Sequence, residues 1–518
     1  MKRFDKEGTK ILRLRQAKSL AVLETKAEIE IELNFIRHNS LLIAARQIFE
    51  RAGGWLWWLT LVLFPIPFRL SLVEGRVGPF PSSITGLDFY LSDALLCASM
   101  LYWLVSFQFS VFKRQSSAPF SLQLSIRNLQ LIALLGLLVW GGLSILWAQD
   151  QAAAAFFWLR LAEGVGLVGL TWFYTRKYSP VWAAFALALG GAGEGLLALD
   201  QLFEGRVVSL INWPKTYRAG GPDASVIEIG PGHYLLRAYG TFSHPNLLGG
   251  FCMIALLASL WLIWRRRGLA RGLAIGLIGP IIAGLGLSFS RSAWLGLLVA
   301  GLGSLILWLG QARPLPAPRY PSKRAAKRAF TEQVLSNQPK KLTRWLVLPP
   351  LLLALLAGLF LPGVQNRLFA LDSPLEQRSI DERVGYAENA LQLISTAPFW
   401  GVGLNNFTVV QVKQQPRIEA VWPVHNVPLL LTAELGPGGL LLWLLIPLAL
   451  ALEGWRGFKR RELWSIWTVA GLALLVISQF DHYIWTLQPG QSLFFGIMGL
   501  WLAVRTEQIS KRPVEATF

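Results

Sequence analysis

A histidine stands where a polar, Gly- and Asn-rich stretch gives way to a long apolar run. His425 lies in GVGLNNFTVVQVKQQPRIEAVWPVHNVPLLLTAELGPGG (401–439), after Pro-Val and before Asn426, Val and Pro. An imidazole at such a boundary can be met from water and from hydrocarbon, and near neutral pH it can accept a proton as a general base. Asn426 shares the junction and is a candidate ligand contact. Arg291 occupies SFSRSAWLGLL, between two apolar runs. A guanidinium beside hydrocarbon is costly and calls for an anion. A snorkelling topology marker is the other reading, but marker arginines belong on the opposite side of the membrane. Arg383 heads a helix predicted over 381–396 (DERVGYAENALQLIST), where a cation opposes the helix dipole. Either an anionic ligand or an ion pair with Asp381 or Glu382 would offset that. Arg237 closes a predicted hairpin, an ordinary place for a solvated arginine. His482 follows Asp481 near the end of another apolar run, where the carboxylate orients the imidazole or merely satisfies it. His244, in SHPN, reads as a turn or helix cap. No Asp-x-Asp, His-x-x-x-His or carboxylate cluster points to a metal, and no glycine-rich phosphate loop to a nucleotide. Neither metal nor cofactor is expected; arginines would have to neutralise a phosphate.

These residues must be positioned by membrane-spanning helices. The chain has 518 residues, 53% of them hydrophobic and 15% charged, against about 25% charged in soluble domains. Apolar runs long enough for a bilayer of about 30 Å recur at 55–73, 87–112, 128–148, 154–174, 180–203, 244–264, 272–289, 292–310, 345–362, 425–452, 465–482 and 489–504. The predicted fold is an all-α bundle of about twelve spans with two large extracytoplasmic loops. The net charge of +19 comes largely from Lys and Arg in short loops on alternate sides. That is the positive-inside pattern, with both termini cytoplasmic and Arg69 and Arg76 as exceptions; it argues against nucleic acid as a partner. Cys97 and Cys252 fall in apolar runs and read as core residues.

In order, the chain divides as follows. Residues 1–54 are a cytoplasmic amphipathic segment, 55–203 spans one to five, and 204–243 an outer loop whose SVIEI-GPG-HYLLRAYG pattern predicts a β-hairpin. Residues 244–310 hold spans six to eight, 311–344 a basic linker, and 345–362 span nine. Residues 363–424 form the loop holding the candidate site, 425–504 spans ten to twelve, and 505–518 a cytoplasmic tail.

Three blocks, RAYGTFSHPNLLGGF, SFSRSAWLGLL, and DERVGYAENALQLISTAPFWGVGLNNF with VHNVPLLLTAELGPGGLLLWL, resemble in order the O-antigen ligase and O-antigen polymerase superfamily. The resemblance implies a membrane glycosyltransferase of C type. Such an enzyme moves a glycan from undecaprenyl pyrophosphate to an acceptor on the outer side of the bacterial cytoplasmic membrane, without metal or nucleotide. By motif position it implies His425 as the essential histidine and Arg291 and Arg383 as pyrophosphate-binding residues, with Arg237 in a shared motif. Ligase and polymerase are not separated, and the acceptor is open. A flippase for lipid-linked sugars is the rival from another class; it would draw on Glu163 and Glu194 inside the spans.

Overall fold

The computed structural model describes residues 44, 46–66, 68–77, 80–81, 85–111, 129–208, 216–218, 224–230, 232–311, 358, 361–369, 374–414, 422–460 and 466–510. The N-terminal amphipathic segment, the basic linker, the ninth span and the C-terminal tail fall wholly or largely outside them. Two compact units are found, one from Met1–Leu56 with Ala98–Ser121, the other from Trp57–Cys97 with Leu122–Phe518. In the first, Ser99 donates to the Gly53 carbonyl at 2.8 Å and Phe49 meets Tyr102. The second holds every candidate site residue.

The helices are α1 (46–63), α2 (Leu91–Val111), α3 (Leu129–Ser144), α4 (Gln151–Tyr178), α5 (Pro180–Glu204), α6 (Pro245–Arg265), α7 (Leu269–Leu287), α8 (Arg291–Gln311), α9 (Leu361–Phe369), α10 (Pro374–Thr396), α11 (Phe407–Gln414), α12 (Val427–Arg460), α13 (Ile466–Ile477), α14 (Tyr483–Thr486) and α15 (Gln488–Ser510). Among the described residues, α4, α5, α6, α7 and the Val427–Arg456 part of α12 are long and apolar enough to cross a membrane. The protein is thus a mostly helical membrane protein.

Local sequence sets the helix ends. Asp150 caps α4 by accepting from the Ala153 N–H at 2.9 Å, satisfying a donor the first turn leaves open. Ser179 and Pro180 open α5, and Gly205 closes it in the left-handed conformation, φ 61°. His244 caps α6 as its SHPN context predicts, Nδ1 accepting from the Asn246 N–H at 3.1 Å, with Pro245 at the first position. Small residues let these helices close on one another: a Cβ on Gly191 would meet Ala255 at 2.3 Å, and one on Gly195 would meet the Pro280 carbonyl at 1.9 Å. Close backbone approach is how helices pack where lipid is as apolar as the side chains.

Short antiparallel sheets decorate the bundle. β1 (Arg69–Val73) pairs with β4 (Leu87–Tyr90), and β2 (Arg76–Val77) with β3 (Phe80–Pro81). The helices within the first two expected spans, 55–73 and 87–112, are therefore shorter than those apolar runs. Pro65 and Pro67 follow the end of α1 at residue 63, as residues that cannot continue a helix. Further on, β5 (Arg206–Val208) pairs with β6 (Thr216–Arg218). β7 (Val226–Gly230) and β8 (His233–Leu236) form the predicted hairpin, Val226 opposite Leu236.

Two corrections bear on the site. The outer helix starts at Pro374 rather than 381, because proline at the first position and Glu376 in the first turn both suit a helix start. Arg383 is then interior to α10, and the argument from a helix N-terminus does not apply to it. Between α13 and α15 the chain forms a turn carrying α14, so Asp481 and His482 belong to a connection and not to a span.

A clamp of backbone bonds fixes the stretch before His425. The Val402 and Gly403 N–H groups donate to the Ala433 and Glu434 carbonyls at 3.0 and 2.9 Å, and the Phe407 N–H donates to Glu434 Oε1 at 3.1 Å. Helix α12 kinks at Gly436 (φ 66°), where a Cβ would meet the Phe399 carbonyl oxygen at 2.3 Å. Only glycine fits both the angle and the contact.

Candidate active site

One end of the bundle collects the site. It is built from the N-termini of α6, α8 and α12, the C-termini of α7 and α13, the turn carrying α14, and helices α9 and α10. His425 precedes α12. Its Nδ1 is buried and makes no hydrogen bond, and its ring meets His482 edge-on at 4.9 Å between centroids. Tyr386 of α10 stacks on its other side at 6.0 Å, and Trp422 stacks on His482 at 6.4 Å. One ligating atom each of His425, Asp481 and His482 lies within 4.8 Å of the others.

The turn behind His425 is fixed in layers. Asp481 Oδ1 accepts from the His482 N–H at 2.9 Å, and Oδ2 accepts from Asn246 Nδ2 at 2.6 Å. Asn246 Oδ1 in turn accepts from Arg237 at 2.6 Å. Arg237 donates further to the Ser288 carbonyl at 2.8 Å and to Ser225 Oγ at 3.0 Å. It is 3% exposed and every nitrogen is engaged, so it lies one layer behind the site instead of meeting a ligand. Asn426 is likewise occupied: Oδ1 caps α12 by accepting from Leu429 N–H at 2.8 Å, and Nδ2 donates to the Gln479 carbonyl at 3.1 Å. With Val427 N–H on the Ser478 carbonyl at 2.8 Å, it ties the His425 loop to the His482 turn. Asn426, read as a candidate ligand contact, and Arg237 are thus both engaged by groups of the protein itself.

Replacing Arg237 with alanine is therefore expected to lower thermal stability. The loss should be at least about 1.5–3 kcal/mol, the worth of one hydrogen bond to a charged group, with the melting temperature of purified protein as the readout. Arg237→Lys should recover only part of it, since an ammonium lacks the planar fork. A wild-type melting curve for Arg237→Ala would contradict the layered arrangement.

Arg291 is the first residue of α8, after a tight turn in which Phe289 takes a left-handed φ of 46°. Its anion is Glu376: NH1 lies 3.0 Å from Oε2 and donates to the Arg367 carbonyl at 3.4 Å. Arg367 pairs with the other Glu376 oxygen. Neither Arg367 nor Glu376 was predicted from the sequence; the acid two residues after Pro374 was the available signal. Arg291 remains partly exposed, with only NH1 engaged. Arg383 makes no ion pair with Asp381 or Glu382; Glu382 pairs with Arg378 at 2.9 Å on the exposed face. Burial lowers the basicity of Arg383, Asp481 opposes that, and Arg291 adds to it. Four guanidiniums (Arg237, Arg291, Arg367 and Arg383) thus share a region with the carboxylates Glu376, Asp481 and Glu382, the last already paired with Arg378.

Electrostatics favour neutral imidazoles and an ionised carboxylate. Burial holds His425 below its ordinary value of 6.5, Asp481 opposing and Arg383 adding. His482 is pushed down to about 3, by burial first and His425 next. Burial alone would raise Asp481, but the three imidazoles around it and the Asn246 hydrogen bond outweigh that and lower it.

Residues 280–444, which include Arg291, Arg383 and His425, match the family model described as O-antigen ligase. Over that stretch the chain is similar to the O-antigen ligase superfamily. Comparison with curated proteins gives no match. For an O-antigen ligase-like membrane protein, a buried imidazole with a free nitrogen beside an excess of guanidinium charge is an arrangement suited to moving a proton next to an anion. Arg237, Asn246 and the His482 turn lie outside the matched stretch, yet they complete the site. The residues a transporter reading would use are committed to structure. Glu194 accepts from the Thr241 N–H and hydroxyl, both at 2.7 Å, and Glu163 pairs with Arg160 at 2.8 Å, which also pairs with Asp93.

Proposed function

We propose that this protein transfers a glycan from undecaprenyl pyrophosphate to an acceptor hydroxyl, as a ligase or as a polymerase of the same superfamily. The observation that carries the reading is the unbonded, buried Nδ1 of His425 next to a cluster with more guanidiniums than carboxylates. His425 takes the proton of the acceptor hydroxyl, whose oxygen attacks the anomeric carbon. The bond from that carbon to the pyrophosphate oxygen breaks, the electron pair leaves with the pyrophosphate, and the anomeric centre inverts. Arg383 and the open edge of Arg291 meet the leaving charge with charge-assisted hydrogen bonds. A pyrophosphate diester carries one ionised oxygen on each phosphorus, which answers the excess of two guanidiniums over carboxylates. Trp422, half exposed beside His482, offers an indole face to a sugar ring. The test is transfer by purified protein in nanodiscs from undecaprenyl-pyrophosphate-linked glycan to an added acceptor, with anomeric configuration read by NMR. Retention of configuration would refute direct attack.

The site end faces outward in this reading. Arg176 and Lys177 in the last turn of α4, Arg265–Arg267 at the end of α6 and after it, and Arg456 near the end of α12 gather at the opposite end, and basic loops stay cytoplasmic. In a background without Cys97 and Cys252, Ser395→Cys on exposed α10 should be labelled by an impermeant thiol reagent added to intact cells. Arg266→Cys should be labelled only after permeabilisation. The reverse pattern would turn the site to the cytoplasm and remove an outward-facing reaction.

A further inference from the structure

We propose that His425, Asp481 and His482 form a binding site for a divalent transition-metal ion of the zinc class, and that filling it switches transfer off. The second half rests on His425 being the base; the first does not. Two imidazoles and a carboxylate are a zinc-type donor set, leaving a fourth position for water. Their ligating atoms lie within 4.8 Å of one another. An ion about 2.0–2.1 Å from each would draw them to about 3.3 Å apart.

The supporting layer is what separates this group from a chance meeting of polar residues. His482 Nδ1 lies 2.5 Å from Thr486 Oγ1. That hydroxyl donates to the His482 carbonyl at 3.2 Å, so it receives the ring N–H and leaves Nε2 with its lone pair outward. Asn246 and a backbone N–H hold Asp481, and Arg237 holds Asn246. Ligand residues fixed through their far atoms are the usual mark of a metal site. Nδ1 of His425 is buried without a partner.

The charge the reaction develops is met by arginines, so the ion is not needed for transfer. Bound, it would occupy the nitrogen that must accept the acceptor's proton, or hold that ring away from it. Zinc would then inhibit by ligation, without displacing donor from Arg383.

The full-length protein in nanodiscs, stripped with EDTA and desalted, is titrated with Co²⁺ and the visible d–d absorption recorded. One ion per chain with a tetrahedral spectrum, displaced by Zn²⁺, is expected. Asp481→Asn and His482→Gln should each abolish the spectrum, and Thr486→Val, which keeps all three ligands, should weaken binding about 10–100-fold. Melting curves and size exclusion establish that the variants are folded. No stoichiometric Co²⁺ spectrum in the wild type, or one that survives both ligand variants, overturns the site. Transfer should persist in EDTA, fall as Zn²⁺ fills the site, and return on chelation. Loss of transfer in EDTA alone would make the ion a requirement and overturn the switch. A filled site with undiminished transfer would also overturn it and remove His425 as the base, while the Co²⁺ spectrum would still define the site.

Discussion

His425→Ala is expected to reduce transfer by about 10²–10⁴-fold, the usual worth of a positioned general base, without loss of folded protein. The structure explains why the two effects separate. The His425 side chain makes no hydrogen bond through Nδ1, so its removal orphans no partner there and costs ring contacts with Tyr386 and His482. Donor binding should persist, because the guanidiniums proposed to hold the pyrophosphate are untouched. Turnover per mole of folded variant, measured beside binding of the lipid-linked donor, decides the matter. Wild-type turnover would end the case for an imidazole base. Loss of donor binding together with turnover would instead assign His425 to substrate contact.

The arginines should respond differently from one another. Arg383→Ala is expected to lower turnover by about 10²–10³-fold, the scale seen when one preorganised donor to a developing anion is removed, and to weaken donor binding as well. Its melting temperature should hold, since among the described residues no ion pair is broken. Arg291→Ala should lose stability along with rate, because Arg291 and Arg367 share Glu376 and removal of one cation leaves that carboxylate half-compensated. Arg291→Lys should recover stability before rate, as an ammonium can reach Glu376 but cannot also present a planar edge to phosphate. Unchanged turnover and donor affinity in Arg383→Ala would remove it from the site.

The sequence made the membrane-helical class legible for definite physical reasons. Apolar runs of membrane length and alternating loop charge can be read without contacts. So can Arg291, His425 and the hairpin after Ser225, whose oddity is local. Arg383 was found for a reason the structure does not support: a helix start placed at 381 when Pro374 and Glu376 already mark it. The partners of Arg237 and Asn426 were not legible, because a side chain's partners are not local. Arg237 is consumed by Ser225, Ser288 and Asn246, and Asn426 by two backbone groups. The pairing of Glu376 with Arg291 and Arg367, and the approach of Asp481 to His425, join segments that no spacing rule connects. A chain can reveal which group is chemically unusual before it reveals what satisfies it.

The bond from Asn246 to Asp481 spans 235 residues. Residues separated by that distance leave the ribosome about 10–50 s apart at about 5–20 residues per second. Throughout that interval α6 can already be inserted while the turn that completes the site has not been synthesised. Competence therefore arrives at the end of translation, when α13 to α15 close against helices made long before. A chain stopped short of residue 481 would be anchored and yet lack the bond from Asn246 to Asp481 and the turn that completes the candidate site.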